Sequence, residues 1–371
     1  MTNLRTDFVL NGRFLTRQMT GVDRVATELS MALIECLSSK EGQSLRLALP
    51  STSVEGLDER PQILMGLETV KTLPLRGYFW EQFALAILKP SLWVLSLCNL
   101  GSIFRSKQVV MIHDAQIFTQ PNAYSSAFRK VYHFILPRVS RRSKVVLTVS
   151  DFSRRELETA GVIPLGKATV VHNGVDHMDR IPDDSSALST FGLTSGGYFL
   201  AIGSLAAHKN LPMLIAAAKA RQDTSIPLVI AGGGNSKVFR DHGLTEEQGV
   251  KFLGRVSDVE LKALYKGARA LAFPSKTEGF GLPPLEAMSC GCPVIATTGG
   301  AVPEVCGDAV LYANPDQPQE WTIAMEKLTH DSQMCEDLAR RGTTHAAQFT
   351  WARAAHTLLD AVAKAEVEPI C

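Results

Sequence analysis

Short apolar runs rich in β-branched residues alternate with longer segments of helical periodicity along nearly the whole chain. This alternation is typical of parallel sheets whose strands are joined by crossover helices. The first half contains the candidate strands TDFVLNG, LRLALP, SLWVLS, QVVMIHD, KVVLTVS and ATVVHNG. The second half contains YFLAIGS, IPLVIAGGG, VKFLGR, ARALAFPS, CPVIATT and AVLYA. The pattern predicts an α/β protein with two Rossmann-like, doubly wound domains that face each other across a cleft.

The length of 371 residues also favours two domains, because one domain ordinarily has about 100–200 residues. The polar, turn-rich segment 176–197 carries no strand pattern and is predicted to be the linker between them. We place the first domain at residues 1–178, the second at 179–350, and a final helix at 351–371. Ligands of such folds bind just outside the carboxyl ends of the strands, so the informative residues should follow strands directly.

Charge and cysteine usage exclude several other classes of protein. The formal net charge is +1, which predicts no strong attraction to nucleic acid. The seven cysteines are scattered without a CxxC pair, which indicates reduced thiols and neither a disulfide framework nor a zinc site. The N-terminus lacks the apolar core of a signal peptide. Lys89 and Pro90 interrupt the most apolar stretch, which falls short of the ~20 apolar residues that span a bilayer. We expect a cytoplasmic protein.

The segment KTEGFGLPPLEA, residues 276–287, follows the strand ARALAFPS. Gly279 and Gly281 let the backbone approach a ligand closely, and the two prolines after them suit the start of a helix. The free N–H groups at such a helix start stabilise phosphate, so a diphosphate is a reasonable ligand. Glu278 on the loop and Glu286 in the helix are both placed to accept hydrogen bonds from vicinal hydroxyl groups of a sugar or ribose.

These two glutamates have seven residues between them within EGFGLPPLEAMSCGCPVIAT. This segment resembles the signature of glycosyltransferase family 4, a family of retaining enzymes with the GT-B fold. The resemblance implies that Glu278 contacts the donor sugar and Glu286 the nucleotide ribose. It also assigns the backbone amides of Phe280, Gly281 and Leu282 to sugar and phosphate. The likeness extends over nearly all of the chain. It implies that residues 1–178 form the acceptor-side domain and 179–350 the nucleotide-sugar-binding domain, and that the final helix crosses back to the first domain.

A second loop, GSLAAHKN, ends the strand YFLAIGS and enters a helix. An isolated lysine here would ordinarily be a solvated surface residue. The similarity of this loop to the family's phosphate-binding loop implies that Lys209 contacts the β-phosphate of the departing nucleoside diphosphate. The common family pattern has an arginine after the glycine, whereas this chain has Ser204, with His208 beside the lysine. The cationic clamp would then consist of Lys209 with a hydroxyl or an imidazole.

Three further segments that contain glycine resemble donor-binding segments of the family. Two strands end in such segments, one at Gly232, Gly233 and Gly234 and the other near Val256. The resemblance implies that their backbone edges hold the nucleobase, although simple glycine turns explain these glycines equally well. Gly21 opens the first helix, whose N-terminus would face the donor phosphates. Arg13, Arg17 and Arg24 lie in the same loop and can simply be solvated, so none is preferred.

The apolar strand VVMIHD ends in His113 and Asp114. A histidine at a strand end in a cleft can act in hydrogen bonding or in acid and base chemistry. The resemblance places His113 near the donor sugar and the reaction centre, with Asp114 as an orienting or acceptor-side neighbour. Trp80-Glu81-Gln82 and Asn173-Gly174-Val175-Asp176 are similar to features of a subfamily.

A locally basic region surrounds the helix that ends near Arg138. A solvated helical face is the usual explanation for such a run, and contact with anionic lipid headgroups or a pyrophosphate-linked lipid acceptor is the alternative. Its members are Arg129, Lys130, Arg138, Arg141, Arg142 and Lys144.

The resemblance to the family implies a retaining hexosyltransferase of surface polysaccharide synthesis, with a nucleotide-sugar donor and a glycan or lipid-linked glycan acceptor. A GDP-sugar of the mannose type is the first choice of donor and a UDP-hexose the second. No Asp-x-Asp motif occurs in the sequence, so we expect no metal and no other cofactor. A sugar-nucleotide epimerase on the same architecture and a non-catalytic sugar-nucleotide-binding protein are the alternatives.

Overall fold

The computed structural model contains two separate parallel sheets, one of seven strands and one of six. This architecture confirms the prediction of two Rossmann-like α/β domains. Gly233 and Gly234 lie outside the residues that the structure describes. Those described residues are 7–38, 44–50, 61–120, 124–232 and 249–367.

The first sheet has the strand order β3-β2-β1-β4-β5-β6-β7, with all neighbours parallel. The strand order reverses between β1 and β4, which makes this pair the topological switch point of the sheet. The alternation of apolar runs did not predict the two-residue strand β3. The strands are β1 (Asp7–Asn11), β2 (Ser44–Ala48), β3 (Thr69–Val70), β4 (Trp93–Ser96), β5 (Gln108–Met111), β6 (Val145–Thr148) and β7 (Ala168–Val170).

Helices connect these strands, because parallel neighbours need a crossover. A 3₁₀ turn at Gly12–Thr16 follows β1, and a π-helical turn at Trp80–Ala84 precedes β4. The α-helices of this part of the chain are Gly21–Ser38, Gln62–Met65, Gly77–Phe79, Gln116–Thr119, Ser126–Arg142, Asp151–Thr159 and Trp351–Val367.

The second sheet has the order β10-β9-β8-β11-β12-β13, again with parallel neighbours and with its switch point between β8 and β11. Its strands are β8 (Phe199–Ile202), β9 (Leu228–Ala231), β10 (Val250–Gly254), β11 (Ala270–Phe273), β12 (Val294–Thr297) and β13 (Leu311–Ala313). A 3₁₀ turn at Ala207–Lys209 follows β8. The α-helices are His177–Arg180, Ser186–Thr190, Leu211–Lys219, Asp258–Gly267, Leu282–Ser289, Val302–Cys306, Pro318–His330 and Ser332–Ala346.

Strands β4 and β5 of the first sheet and β9 and β11 of the second are buried along their whole length. Helices cover both faces of a doubly wound sheet, so its strands are continuous apolar runs and not alternating ones. In the second unit, for example, Phe199 and Ile230 pack with Trp321 in one core cluster. This burial explains why the apolar runs were a reliable guide to the strands.

The chain divides into two compact units, residues 1–174 with 350–371 and residues 175–349. The final helix Trp351–Val367 packs against the helix Gly21–Ser38 of the first unit. Gly174 lies directly against the start of this helix, because a Cβ at Gly174 would come within 2.2 Å of the Trp351 backbone nitrogen. A side chain is therefore excluded at the point where the chain leaves the first unit.

The segment 176–197, predicted to be a linker, belongs to the second unit, and that prediction was wrong. Its helix Ser186–Thr190 packs against Asp258–Gly267. Lys262 Nζ bonds to the carbonyl of Ile181 at 2.6 Å and pairs with Asp183 at 3.0 Å. The segment is polar because most of its side chains face solvent, although Ala187 is buried. Among the described residues, no helix is both long and apolar enough to cross a membrane.

Candidate active site

The switch point of the second sheet is spanned by an ion pair between two residues assigned to the site from sequence. Lys209 follows β8 and Glu278 follows β11, and Lys209 Nζ lies 2.7 Å from Glu278 Oε1. The side chains are 23% and 13% exposed, so the pair is accessible at the sheet edge. The ammonium group also lies 5.8 Å from the centre of the Phe273 ring. The carboxyl edge of the sheet thus holds one cation and one carboxylate at the place where such folds bind ligands.

The loop that carries Lys209 is fixed by Asn210, a residue that the sequence analysis passed over. Asn210 has φ of 57°, in the left-handed region that asparagine tolerates better than most residues. Its buried side-chain amide donates to the carbonyls of Pro274 at 3.3 Å and Pro315 at 2.7 Å. These bonds connect the lysine loop to the loop after β11. They fix the backbone next to Lys209, which faces Glu278.

Two glycines of a neighbouring loop hold Glu278 from the other side. A Cβ at Gly300 would come within 2.4 Å of the Glu278 backbone nitrogen, and one at Gly299 within 2.2 Å of the Lys276 carbonyl oxygen. The backbone nitrogen of Ala301 donates to the carbonyl of Glu278 at 3.0 Å. Only glycine permits this close approach of two backbones. The main chain of Glu278 is therefore fixed by its surroundings.

The helix Leu282–Ser289 begins beside this pair, and Gly281 precedes it with φ of 97°. This left-handed conformation favours glycine and turns the chain from the loop into the helix. Phe280 is buried and packs edge to face with Phe349 at 6.2 Å between ring centres, whereas Leu282 is half-buried. The backbone N–H groups at this helix start are those of Gly281 and Leu282, because Pro283 and Pro284 have none. Together with the positive end of the helix dipole, they suit the phosphates of a donor.

Glu286 lies within this helix and is buried, with 6% of its surface exposed. Tyr265 Oη donates to Glu286 Oε2 at 3.0 Å, and His177 Nε2 lies 3.3 Å from Glu286 Oε1. Burial, followed by the charge of Glu286, raises the pKa of Tyr265 well above its usual range, so the phenol stays protonated and remains a donor. The sequence analysis missed both partners, because neither adjoins the glutamate in sequence. A carboxylate has about four lone-pair positions, so Glu286 keeps acceptor capacity for hydroxyl groups.

Three glycines mark the ends of β8, β9 and β10 at the same edge of the sheet. Gly232 has φ of 108°, and a Cβ there would come within 2.7 Å of the Gly203 carbonyl oxygen. Gly232 N donates to the Gly254 carbonyl at 2.7 Å, and Gly254 has φ of 72°. The three glycines have no side chains that could cover the backbone of this edge. Ser204 lies exposed on the edge, and His208 and Val256 are half-buried there.

His113 and Asp114 lie at the carboxyl edge of the first sheet, after β5. His113 is buried, and its Nε2 is 2.8 Å from the carbonyl oxygen of Leu97. Burial lowers the pKa of His113, which favours the neutral imidazole with Nε2–H donating to that carbonyl. Asn99, with φ of 68°, accepts from the backbone nitrogen of His113 at 2.9 Å. Asp114 is half-buried and accepts from the backbone nitrogen of Gln116 at 2.9 Å. The reaction roles of the two residues stay predictions.

Arg13 and Arg17 of the first loop are ion-paired, although the sequence analysis preferred neither of them. Arg13 Nη1 bonds to Glu81 Oε2, and Glu81 is almost completely buried. Arg17 bonds through Nε and Nη2 to Asp23 Oδ1 at 2.9 and 2.6 Å. Burial raises the pKa of Glu81, an effect opposed by the charge of Arg13 and by a hydrogen bond from Asn11. Gly21, in the same loop, opens the helix Gly21–Ser38, and a Cβ there would point into open space.

The arrangement of two Rossmann-like parallel sheets is shared with known glycosyltransferases. Residues 87–178 match the family model described as Glycosyltransferase Family 4, and residues 194–345 match the model described as Glycosyl transferases group 1. A structure of HepE from Anabaena in complex with UDP-glucose has a TM-score of 0.71 at 18% identity, over 96% of this chain and 99% of that one.

Two curated relatives are bacterial mannosyltransferases. O-antigen chain mannosyltransferase B of Escherichia coli is 34% identical over 256 residues, which are 66% of this chain and 67% of that protein. O-antigen chain mannosyltransferase RfbU of Salmonella typhimurium is 32% identical over 225 residues, 60% of each chain. The chain belongs to glycosyltransferase family 4 and has the GT-B fold. It is a glycosyltransferase, as the sequence analysis predicted.

Proposed function

We propose that the protein transfers a hexosyl unit, with retention of anomeric configuration, from a nucleotide sugar to a glycan or lipid-linked glycan of a surface polysaccharide. The observation that carries this proposal is the Lys209–Glu278 pair at the switch point of the second sheet, beside the start of the helix Leu282–Ser289. The Lys209 cation and the backbone N–H groups of Gly281 and Leu282 match the diphosphate of a donor, and the Glu278 carboxylate matches the hydroxyl groups of its sugar. Pro283 and Pro284 have no N–H to offer.

The chemistry that this arrangement supports is stabilisation of the departing diphosphate. Lys209 and the helix start place positive charge where negative charge grows toward the transition state, which lowers the barrier without a protein nucleophile. The leaving phosphate then helps to deprotonate the acceptor hydroxyl on the same face of the sugar. Glu278 orients the transferred sugar and Glu286 the ribose. No divalent metal is needed in this scheme, because protein groups supply the positive charge.

The donor that we propose first is a GDP-sugar of the mannose type, with a UDP-hexose second. Support comes from the two curated relatives, both of which are named as O-antigen mannosyltransferases. The structure of HepE contains UDP-glucose, so UDP-glucose is tested as the second donor. Backbone groups along the glycine edge of β8 to β10 would hold either base, so the donor has to be decided by measurement.

The decisive experiment incubates the protein with GDP-mannose or UDP-glucose, with and without glycan acceptors, and analyses the products by mass spectrometry and NMR. We expect GDP and a glycan longer by one α-linked mannose. A product of inverted configuration would contradict retention, and an isomerised nucleotide sugar without glycan extension would indicate an epimerase. Activity should persist in EDTA. Complete loss that magnesium or manganese restores would contradict the metal-independent scheme.

We also propose a peripheral contact with anionic membranes, where a lipid-linked acceptor would lie. An exposed aromatic patch supports this, formed by Phe79, Phe83, Ile87 and Phe104, which are 70%, 44%, 64% and 55% exposed. The Phe83 ring stacks on Phe79 and on Phe104, with centres 6.4 and 5.5 Å apart. Exposed apolar patches mark interaction surfaces, and aromatic side chains suit the headgroup region.

Sedimentation with vesicles containing phosphatidylglycerol tests this contact. The wild-type protein should bind them and the double variant Phe79→Ser, Phe83→Ser should not. Equal sedimentation of both proteins, or none of either, would contradict the proposal. Ile323→Ser is a control because Ile323 is also exposed, at 52%, but belongs to the second unit.

A further inference from the structure

The loop before the helix Leu282–Ser289 carries Phe280 between two glycines, Gly279 and Gly281. Glycine restricts the backbone less than other residues do, so the two glycines by themselves leave this part of the loop free to take many conformations. Gly281 has φ of 97°, and its N–H group lies at the helix start together with that of Leu282. The Phe280 side chain is 5% exposed. Its buried ring therefore supplies a restraint that the two glycines lack.

The ring of Phe349 packs edge to face against that of Phe280, with the ring centres 6.2 Å apart and the planes at 71°. Further contacts fix Phe349 itself. Its backbone nitrogen donates to the Ala346 carbonyl at 3.0 Å, and its ring centre lies 5.4 Å from that of His345. The His345 imidazole is held in turn, because its Nε2 donates to the Val305 carbonyl at 2.7 Å. Phe349 is therefore placed by contacts other than Phe280 and can hold the Phe280 ring in position.

Phe349 also has a special place in the chain. It is the last residue of the second unit, and Val175 is the first. The Val175 backbone nitrogen donates to the Phe349 carbonyl at 2.9 Å, and Val175 is 2% exposed. A buried hydrogen bond thus joins the point where the chain enters the second unit to the point where it leaves. The residue that accepts this bond through its backbone contacts the loop of Phe280 through its side chain.

We propose that Phe349 is a positioning residue for the donor, because its ring holds Phe280 and thereby keeps the N–H groups of Gly281 and Leu282 directed at the diphosphate. The inference rests on the proposed function for the identity of the ligand. It has a second consequence, since coupling between two sites is reciprocal. A diphosphate that orders the loop of Phe280 also orders Phe349, and so stabilises the hydrogen bond between Val175 and Phe349.

The first test compares Phe349→Leu with wild type, because leucine stays apolar but removes the ring. Calorimetric titration with GDP and with UDP measures the Kd. We expect the Kd of the nucleotide that wild type binds to rise about three- to tenfold, the equivalent of one aromatic pair. The KM for the matching donor, GDP-mannose or UDP-glucose, should rise by a similar factor, and the KM for the acceptor should stay unchanged. Phe349→Tyr keeps the ring and should bind the nucleotide as wild type does.

Phe191→Leu is the matched control. Phe191 is also half-buried and belongs to the second unit. Its carbonyl accepts a hydrogen bond from Lys251, which lies near the amino end of β10 and so away from the carboxyl edge of the sheet. The variant should keep the nucleotide affinity of wild type. An equal fall in affinity in Phe191→Leu and Phe349→Leu would assign the effect to a general loss of stability and contradict the inference.

A double variant shows whether Phe349 acts through Phe280. Residues in contact are not additive, so Phe280→Leu combined with Phe349→Leu should bind the nucleotide no more weakly than Phe280→Leu alone. Additive losses would contradict the proposed route. If wild type binds GDP or UDP and Phe349→Leu has the same Kd, the inference is wrong while the proposed donor site stands. If wild type binds neither nucleotide, the proposed donor site is refuted and the inference with it.

Hydrogen exchange in the wild-type protein tests the inference without depending on the folding of a variant. NMR follows the amide of Val175 and, as a control, that of Gly196, which donates to the Gly267 carbonyl at 2.8 Å in the same unit. We expect saturating nucleotide to slow exchange at Val175 about three- to tenfold, the factor expected for the Kd, because the coupling is reciprocal. Exchange at Gly196 should stay unchanged. No slowing at Val175, or equal slowing at both amides, would overturn the proposal.

Discussion

The two switch points of the molecule are built alike but differ in how far their charged residues are exposed. Each is spanned by an ion pair, Arg13 with Glu81 in the first unit and Lys209 with Glu278 in the second. Glu81 is 3% exposed and lies on a helical turn, whereas Glu278 is 13% exposed and lies on a glycine-rich loop. The second edge therefore presents backbone and an accessible charge pair, which suit a diphosphate. The first presents side chains that are held by hydrogen bonds to one another.

The largest effect that would separate the two pairs is on stability. Glu81→Ala leaves Arg13 without its buried partner, so we expect a loss of about 3–5 kcal/mol of folding free energy. Glu278→Ala removes a partner from a more accessible pair, and the loss should be about 1 kcal/mol or less. Denaturant titration followed by circular dichroism measures both. Equal losses of folding free energy in the two variants would show that the different burial of the two pairs has no effect on stability.

The next effect concerns turnover and should appear only in the second unit. Lys209→Ala removes positive charge from the leaving diphosphate, and we expect kcat to fall about 10²- to 10³-fold. The control is Lys266→Ala, because Lys266 also pairs with a carboxylate, Asp183 at 2.8 Å, but is more exposed. Its turnover should match wild type. Unchanged turnover in Lys209→Ala would make this lysine an ordinary surface residue.

A third effect tests the division of labour between the two glutamates. Glu286→Gln should weaken binding of the nucleoside diphosphate by roughly 10- to 150-fold, the equivalent of one charge-assisted hydrogen bond. Glu278→Gln should keep the affinity for the diphosphate, which has no sugar to contact, and lose turnover by a similar factor. Calorimetric titration with the diphosphate, beside a transfer assay, measures both. An equal loss of diphosphate affinity would contradict the separate roles.

The fold could be predicted largely from the sequence, for a physical reason. Parallel strands covered on both faces must be continuously apolar, so β4 and β5 are visible as β-branched runs. Strand β3 has only two residues and leaves no such run. The sequence of 176–197 predicts a linker because the helices of this segment bury few side chains. The polar residues that face solvent therefore dominate its sequence pattern.

The candidate site was predictable only where its chemistry is local. The loop after β11 combines glycines, prolines and glutamates within a few residues, and the structure places Lys209 against it. The sequence did not predict the contacts that Asn210, Tyr265 and Glu81 make. Glu81 meets Arg13 across 68 residues of sequence, and no spacing rule links them. Such contacts depend on how the sheet and its loops pack, which periodicity does not contain.

The smallest of the expected effects concerns Tyr265, which contacts Glu286. Its hydroxyl group donates to Glu286 Oε2 at 3.0 Å, inside the core of the second unit. We interpret Tyr265 as a positioning residue that holds the carboxylate in one orientation. Tyr265→Phe should therefore weaken diphosphate binding about fivefold, since one hydrogen bond contributes roughly 1 kcal/mol. The effect should have the same sign as that of Glu286→Gln and be smaller.

A positioning role and a merely structural role differ in what the double variant shows. If Tyr265 acts through Glu286, the combination of Tyr265→Phe with Glu286→Gln should bind diphosphate no more weakly than Glu286→Gln alone, because residues in contact are not additive. Additive losses would mean that Tyr265 acts by another route. Tyr312→Phe is the control, because Tyr312 Oη donates to the Gly307 carbonyl at 2.6 Å in the same unit, outside the site. The Tyr312→Phe variant should lose a similar hydrogen bond and keep its affinity for the diphosphate. A fall in its affinity would assign the effect of Tyr265→Phe to a general loss of stability.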